Sequence, residues 1–421
     1  MASDHFIDEK GERVFIEGPL GGYNIKLLLA LMHGVIAKRG YPDIELDFSR
    51  CTRAYSSEML MICSEARRYK RAGIGVYLTL PNDDRMRKLF INSNWASIID
   101  EQSHPRSTSK SSLHIPATVF RNANEQAIAV SVLSDRLMAT MPPERRDDLR
   151  FIQWILNEVT DNVINHSRSD LGGIIQLTHH TKTKRVELTI SDSGIGIGGS
   201  LRSGDYPTIS DEDALAAVIK EGVTRHKTAG QGNGLYGTYE IATKTAGRLT
   251  LVSGNGIFRY RGSKASTNWK REKIPFNGTL VDVQIGYSQS VDVRDILVIK
   301  GEAHVPIDSV DLNYEADDQG VVAFKVANET TLGFGSRVSG RHLRNKAIHI
   351  LQNDEDARLA VDFRDTGLIS SSFADEFLGK LCFMIGVMKF MRRVSIDCED
   401  KLNLHLIEKA IDQRMSVGLE E

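Results

Sequence analysis

Apolar residues recur at three- and four-residue steps through FIQWILNEVTDNVINHS, residues 151–167. There Ile152, Ile155, Leu156, Val159, Val163 and Ile164 mark one buried helical face. Glu158, Asp161, Asn162 and Asn165 are interleaved with them, at spacings that set several of these polar groups on a single side of the helix. A carboxylate and two carboxamides beside an apolar seam ask for a role beyond packing. Further on, VELTISDSGIGI alternates over Val186–Ile190, the period of a strand, and runs into Asp192, Gly194 and Gly196. GQGNGLYG then sets Gly230, Gly232 and Gly234 directly before a helical LYGTYEIATKTA, and NGTLVDVQI reads as a strand that opens at Gly278 and Thr279.

The two ends of the chain follow another pattern. RVFIEGP reads as a strand, Tyr23–Lys38 as a helix, IELDFS as a strand, Glu58–Arg71 as a helix and IGVYLTLP as a strand. The same order returns in VVAFKVA, a helix near Gly340–Leu351, LAVDFRD, a helix from Phe373 and RRVSIDC. A shift of 315 residues superposes Asp47-Phe48 on Asp362-Phe363 and Ser56-Ser57 on Ser371-Ser372, which reads as a repeat of one small domain. Serines ahead of a helix also serve as N-caps, and that explanation stays open for both loops. DEQSHPRSTSKSS, residues 100–112, has no apolar period and reads as a linker. The expected organisation is an αβ domain over 1–102, a linker over 103–113, a central domain over 114–287 and a second αβ domain over 288–421.

With 421 residues, 41% of them hydrophobic, the chain has an ordinary globular composition with room for these three domains. Its 53 basic and 55 acidic residues give a net charge of −2, so neither nucleic acid nor a membrane is an expected partner. Cys51, Cys63, Cys382 and Cys398 stand far apart, which argues against a zinc site or a disulfide framework and for a reducing cytoplasm. The longest apolar run, Ile25–Ala37, is short of the ~20 residues that cross a bilayer, and the segment before it does not read as a signal peptide. His179-His180 has no carboxylate or cysteine at ligand spacing and is expected as a surface pair.

Taken together, the Glu-Asn helix, the DxGxG turn, a long insertion, the GxGxGL helix start and the terminal Gly-Thr strand resemble the Bergerat-fold ATPases and kinases of the GHKL superfamily. The anti-sigma-factor serine kinases are the nearest branch. The pieces LDFSRCTRAYSSEML and VDFRDTGLISSSFADEF resemble STAS-like domains, the C-terminal one more clearly. In the N-terminal piece Tyr55 and Glu58 stand where most members have Asp and Gly. The resemblance implies an α/β chain with a central α+β sandwich between two STAS-like domains. It also implies ATP and Mg²⁺ as cofactors, and an ATP lid at about 197–230.

On that resemblance Asp192 accepts the adenine amine with Thr279 in support, and Gly194 and Gly196 admit the base. Asn162 holds Mg²⁺ and Asn165 reaches toward ribose or phosphate. Gly230, Gly232, Gly234 and Leu235 bring the phosphates to a helix start. Arg225 or Lys227 would neutralise the γ-phosphate, although a solvated basic turn explains them equally well. Glu158, one turn before Asn162, is the expected catalytic base. The nucleophile is water in the ATPase branch and a protein serine in the anti-sigma branch, for which Ser371, Ser372 and Ser56 are the candidate acceptors. No histidine precedes His166 in the helices before and through this segment, so histidine autophosphorylation is not expected. Hydrolysis and phosphoryl transfer both stay open. So does a non-catalytic scaffold that binds nucleotide and docks protein partners, a second copy of the chain among them, through its STAS-like domains.

Overall fold

The computed structural model describes residues 6–21, 24–107, 113–142, 145–223, 234–262, 264–267, 275–288, 298–299, 302–303, 317, 320–329, 334–353 and 356–417. Met1–Val130 with Ile155–Val305 form one compact unit, and Ser131–Trp154 with Pro306–Glu421 form another.

In the first unit β1 (Phe6–Lys10) and β2 (Arg13–Pro19) make an antiparallel hairpin, and β2 continues in parallel to β3 (Asp43–Arg53) and β4 (Gly75–Thr79). The crossovers run through α1 (Asn24–His33), which continues into one wider π turn, and α2 (Ser56–Arg71). Two short helices, α3 (Asp84–Asn92) and α4 (Trp95–Ile99), follow. The expected βαβαβ order is present, with β1 as an added edge strand.

A second sheet is antiparallel throughout and has seven strands in the order β10-β9-β8-β11-β7-β6-β5. These are β5 (His114–Phe120), β6 (Gly173–His180), β7 (Arg185–Asp192), β8 (Arg248–Gly254), β9 (Gly256–Arg261), β10 (Lys264–Thr267) and β11 (Phe276–Gly286). The helices interleaved with them are α5 (Ala123–Thr140), α6 (Arg146–His166), α7 (Gly196–Arg202), α8 (Asp211–Val218) and α9 (Gly234–Lys244).

The helix α2 joins the two sheets. Met59, Leu60, Met61, Ile62, Cys63 and Ala66 are all buried, so apolar side chains leave it on more than one side and need more than one partner. One partner is its own sheet, through Leu46 and Phe48. The other is the seven-stranded sheet, whose Ile174, Val252 and Leu280 belong to the same continuous core. Polar contacts close the seam: the Trp95 Nε1 donates to Gln176 Oε1 at 2.8 Å, and Arg71 pairs with Asp170 at 2.7 Å.

The second unit holds a parallel sheet of β14 (Val321–Lys325), β15 (Arg358–Asp362) and β16 (Val394–Asp397), while the two-residue pair β12 (Val298–Ile299) and β13 (Glu302–Ala303) belongs to the first unit. Its helices are α10 (Arg337–Asn353), α11 (Ser371–Ala374), α12 (Lys380–Ile385), α13 (Val387–Arg393) and α14 (Lys401–Val417), and one π turn links α11 to α12. Order and pairing repeat those of β2, β3 and β4. The paired Asp-Phe motifs have a shared physical cause. Asp47 Oδ1 accepts the Ser49 amide at 2.8 Å and Asp362 Oδ1 accepts the Arg364 amide at 2.8 Å, while Phe48 and Phe363 fill the core. The helix that follows is covered differently in the two copies. On α2 the cover is the seven-stranded sheet. After Ser371 it is α14, where a Cβ on Gly379 would lie 2.8 Å from the Ala410 carbonyl oxygen and Arg414 pairs with Asp375 at 2.7 Å.

Leu280→Ala is expected to cost about 2–5 kcal/mol of stability and to speed amide exchange in β3 as well as in β7 and β11. Acceleration confined to β7 and β11 would contradict a shared core.

Candidate functional site

Four segments converge along α6. Its apolar face is buried as the periodicity requires, with Ile152, Ile155 and Leu156 at 0% exposure, and this fixes which way the polar residues turn. Glu158 and Asn162 are half-buried, and Asn165 is exposed one turn further on. Opposite them stands the start of α9. A Cβ at Gly234 would lie 2.7 Å from Glu158 Oε2 and 3.3 Å from Asn162 Nδ2, so the start of α9 stands directly against these two side chains. Leu235 is half-buried in the same first turn, and the N–H groups of a helix start can receive an anion. Burial pushes the Glu158 carboxyl above its ordinary range, and nearby Asp161 adds to the effect.

The other end of α6 carries the DxGxG turn. The Ile195 amide donates to the Ser167 carbonyl at 2.8 Å, and a Cβ on Gly194 would lie 2.1 Å from that same oxygen. Gly194 is therefore demanded by the backbone of α6. Its amide donates to Asp192 Oδ1 at 2.7 Å, and the Thr279 hydroxyl and amide also bond to this carboxyl. Register explains the meeting, since Asp192 ends β7 directly opposite Thr279 on β11. Asp192 is 3% exposed, and burial pushes it up to about 7 against these hydrogen bonds. Gly196 opens α7 with a φ of +70°.

Several participants carry no signal in the sequence. Ser253 Oγ accepts the Ile197 amide at 2.8 Å and donates to the Gly278 carbonyl at 2.9 Å, which ties the turn to both neighbouring strands. Ser193 Oγ is buried with no partner among the described residues, a polar group that a ligand or water can complete. Asp211 pairs with Arg202 at 2.9 Å and accepts the Asn255 amide at 3.0 Å, which fastens the start of α8. Part of the expected lid, 197–230, is thus α7 and α8 lying against β8 and β9. Arg225, Lys227, Gly230 and Gly232 lie outside the described residues.

The remaining candidates are placed as follows. Ser56 is 7% exposed and donates to Glu187 Oε1 at 2.6 Å. Ser371 is exposed and Ser372 half-buried, while Phe373 turns into the core against Phe334 and Phe377. His179 corrects the expectation of a surface pair. The strand alternation directs it inward to the Tyr287 hydroxyl at 2.6 Å and leaves only His180 outside. Among the described residues no group of three or more His, Cys, Asp or Glu side chains can hold a metal ion. A single carboxamide such as Asn162 fits instead the way Mg²⁺ is held, by one or two protein oxygens together with phosphates and water.

Residues 147–273 match the family model of the histidine kinase-, DNA gyrase B- and HSP90-like ATPases. No curated protein matches the chain. The matched segment is a GHKL-type ATP-binding domain, and it contains Glu158, Asn162, Asp192 and Gly234.

An adenine amine needs an acceptor, and a protonated Asp192 is a poorer one. ATP affinity should therefore fall as pH drops through about 7, levelling off once the carboxyl is fully protonated. Asp192→Asn should weaken binding and flatten that profile. Calorimetry on either side of neutrality checks it, and equal wild-type affinities there would show that Asp192 does not meet the base.

Proposed function

We propose that the protein is a Mg²⁺-dependent regulatory ATPase or kinase whose nucleotide state controls docking of its STAS-like flanking domains or of a protein partner. The observation that carries this reading is the approach of the Gly234 helix start to Glu158 and Asn162, with Asp192 at the opposite end of the same stretch of α6. From Glu158 to Ser167, the residue just past the end of α6, the chain rises about 13 Å, a separation suited to a nucleotide lying between an adenine acceptor and a phosphate-binding helix start. Asp192 and Thr279 take the base, the α9 N-terminus takes phosphate, and Asn162 offers an oxygen to Mg²⁺. The metal supplies charge neutralisation on the phosphates. Glu158 orients the nucleophile and accepts its proton as the oxygen attacks the γ-phosphorus and the bond to ADP breaks.

Two nucleophiles fit this chemistry. Water makes the protein an ATPase switch. A serine hydroxyl makes it a kinase, and the exposure of Ser371 with Phe373 turned inward favours Ser371 as the acceptor over Ser56, which is already bonded to Glu187. A phosphate on Ser371 would add about −1.5 to −2 charges at a helix start, enough to change what docks there. We place this activity in the cytoplasm. No helix among the described residues is long and apolar enough to cross a membrane.

Glu158→Ala should keep its ATP affinity within about twofold while turnover falls by about 10²–10⁴. Turnover is followed with γ-labelled ATP, separating free phosphate from labelled protein, and intact mass reports any phosphate on Ser371. Turnover unchanged in Glu158→Ala would remove the base role. Absence of both free phosphate and labelled protein would leave a nucleotide-binding scaffold.

A further inference from the structure

The reverse face of β7 carries Glu187, Thr189 and Ser191, alternate residues on one side of the strand. All three meet α2 or its neighbours, and Thr189 and Ser191 are buried. Ser56 Oγ donates to Glu187 at 2.6 Å and accepts from Thr189 at 3.0 Å, and Ser64 Oγ donates to Ser191 Oγ at 2.9 Å. Ser64 and Ser191 are 1% and 0% exposed, so neither has water as an alternative partner. The spacing is matched: eight residues of helix, about 12 Å, lie along four residues of strand, about 13.5 Å. One turn beyond, Arg67 donates to the Leu171 carbonyl, at the approach to Gly173, which pairs with Asp192. The strand end that carries Asp192 is thus held from behind by α2.

We propose that Ser64 is a positioning residue for the adenine-binding carboxylate, acting through Ser191 on the placement of Asp192. The N-terminal domain then sets adenine affinity in cis, and by linkage nucleotide sets the seat of α2. The proposal rests on the ATP reading above. Removing the Ser64 hydroxyl leaves the buried Ser191 oxygen unpaired, and the strand end relieves this only by shifting, which takes Asp192 with it.

The test compares ATP with purine riboside triphosphate, which lacks the adenine amine, on the full-length chain, and follows hydrogen exchange at Gly194 and Ile195. Ser64→Ala should weaken ATP by about three- to tenfold and leave the amine-free nucleotide within about twofold. Exchange at Gly194, whose amide is held by Asp192, should quicken while β9 is unchanged. Ser191→Ala attacks the same bond from the strand, and the double variant should bind ATP no worse than either single one. Equal losses for both nucleotides, faster exchange throughout the unit, or additive effects in the double variant would each mean that Ser64 only stabilises the fold, and overturn the proposal. If the wild-type chain binds neither nucleotide, the ATP reading itself has failed. Exchange at Gly194 and Ile195 in the two single variants then decides whether Ser64 positions Asp192.

Discussion

Burial of α2 between two sheets is the constraint on which the first unit depends. The polar groups on its enclosed faces cannot reach solvent, so they must find internal partners. Ser56 and Ser64 find theirs on β7. The arrangement also sets the charge of the seam. Burial alone would raise Glu187, but hydrogen bonds from His180, Ser56 and Gln284 bring it below its ordinary value. Asp282, next to it on β11, is pushed well up by burial and by Glu187, and burial likewise raises Glu58. Three carboxyls coexist on this seam because hydrogen bonds keep one ionised while the others favour the proton.

On the opposite face of the same sheet two stretches of α6 do different work. Near Ser167 it fixes a turn whose glycine amide holds Asp192. About one and a half to two and a half turns earlier it presents Glu158 and Asn162 to a helix start. Among the described residues no cation pairs with Asp192 or Glu158. Asp192 and Glu158 both lie above their usual range through burial, so an incoming positive or donor group would favour their ionised forms.

The parts of this site that were legible in the sequence are those with local spacing. The apolar period exposed the polar residues of α6, alternation led to Asp192, and glycines marked the turn and the start of α9. Contacts between segments far apart in the chain had no such mark. The alternation of β7 implies one face in water, and nothing local says that a helix 127 residues away covers it through Ser64. Ser253 and Ser193 look like ordinary strand and turn residues until the loop closes over them. His179 was misread for the same reason, since its partner Tyr287 is 108 residues distant. At the flanks the repeated Asp-Phe pairs were visible because an Asx turn is local, whereas the added strand β1 depends on a hairpin at Gly11, whose φ is +66°.

The two copies of the βαβαβ unit meet one requirement in two ways. After Ser56 the helix is roofed by the seven-stranded sheet, and after Ser371 by α14. The C-terminal copy is therefore self-contained on that side, and the N-terminal copy is not. Exchanging the two in the chain would leave one helix uncovered and give the other two covers competing for one face. The copies share an architecture but are not interchangeable parts.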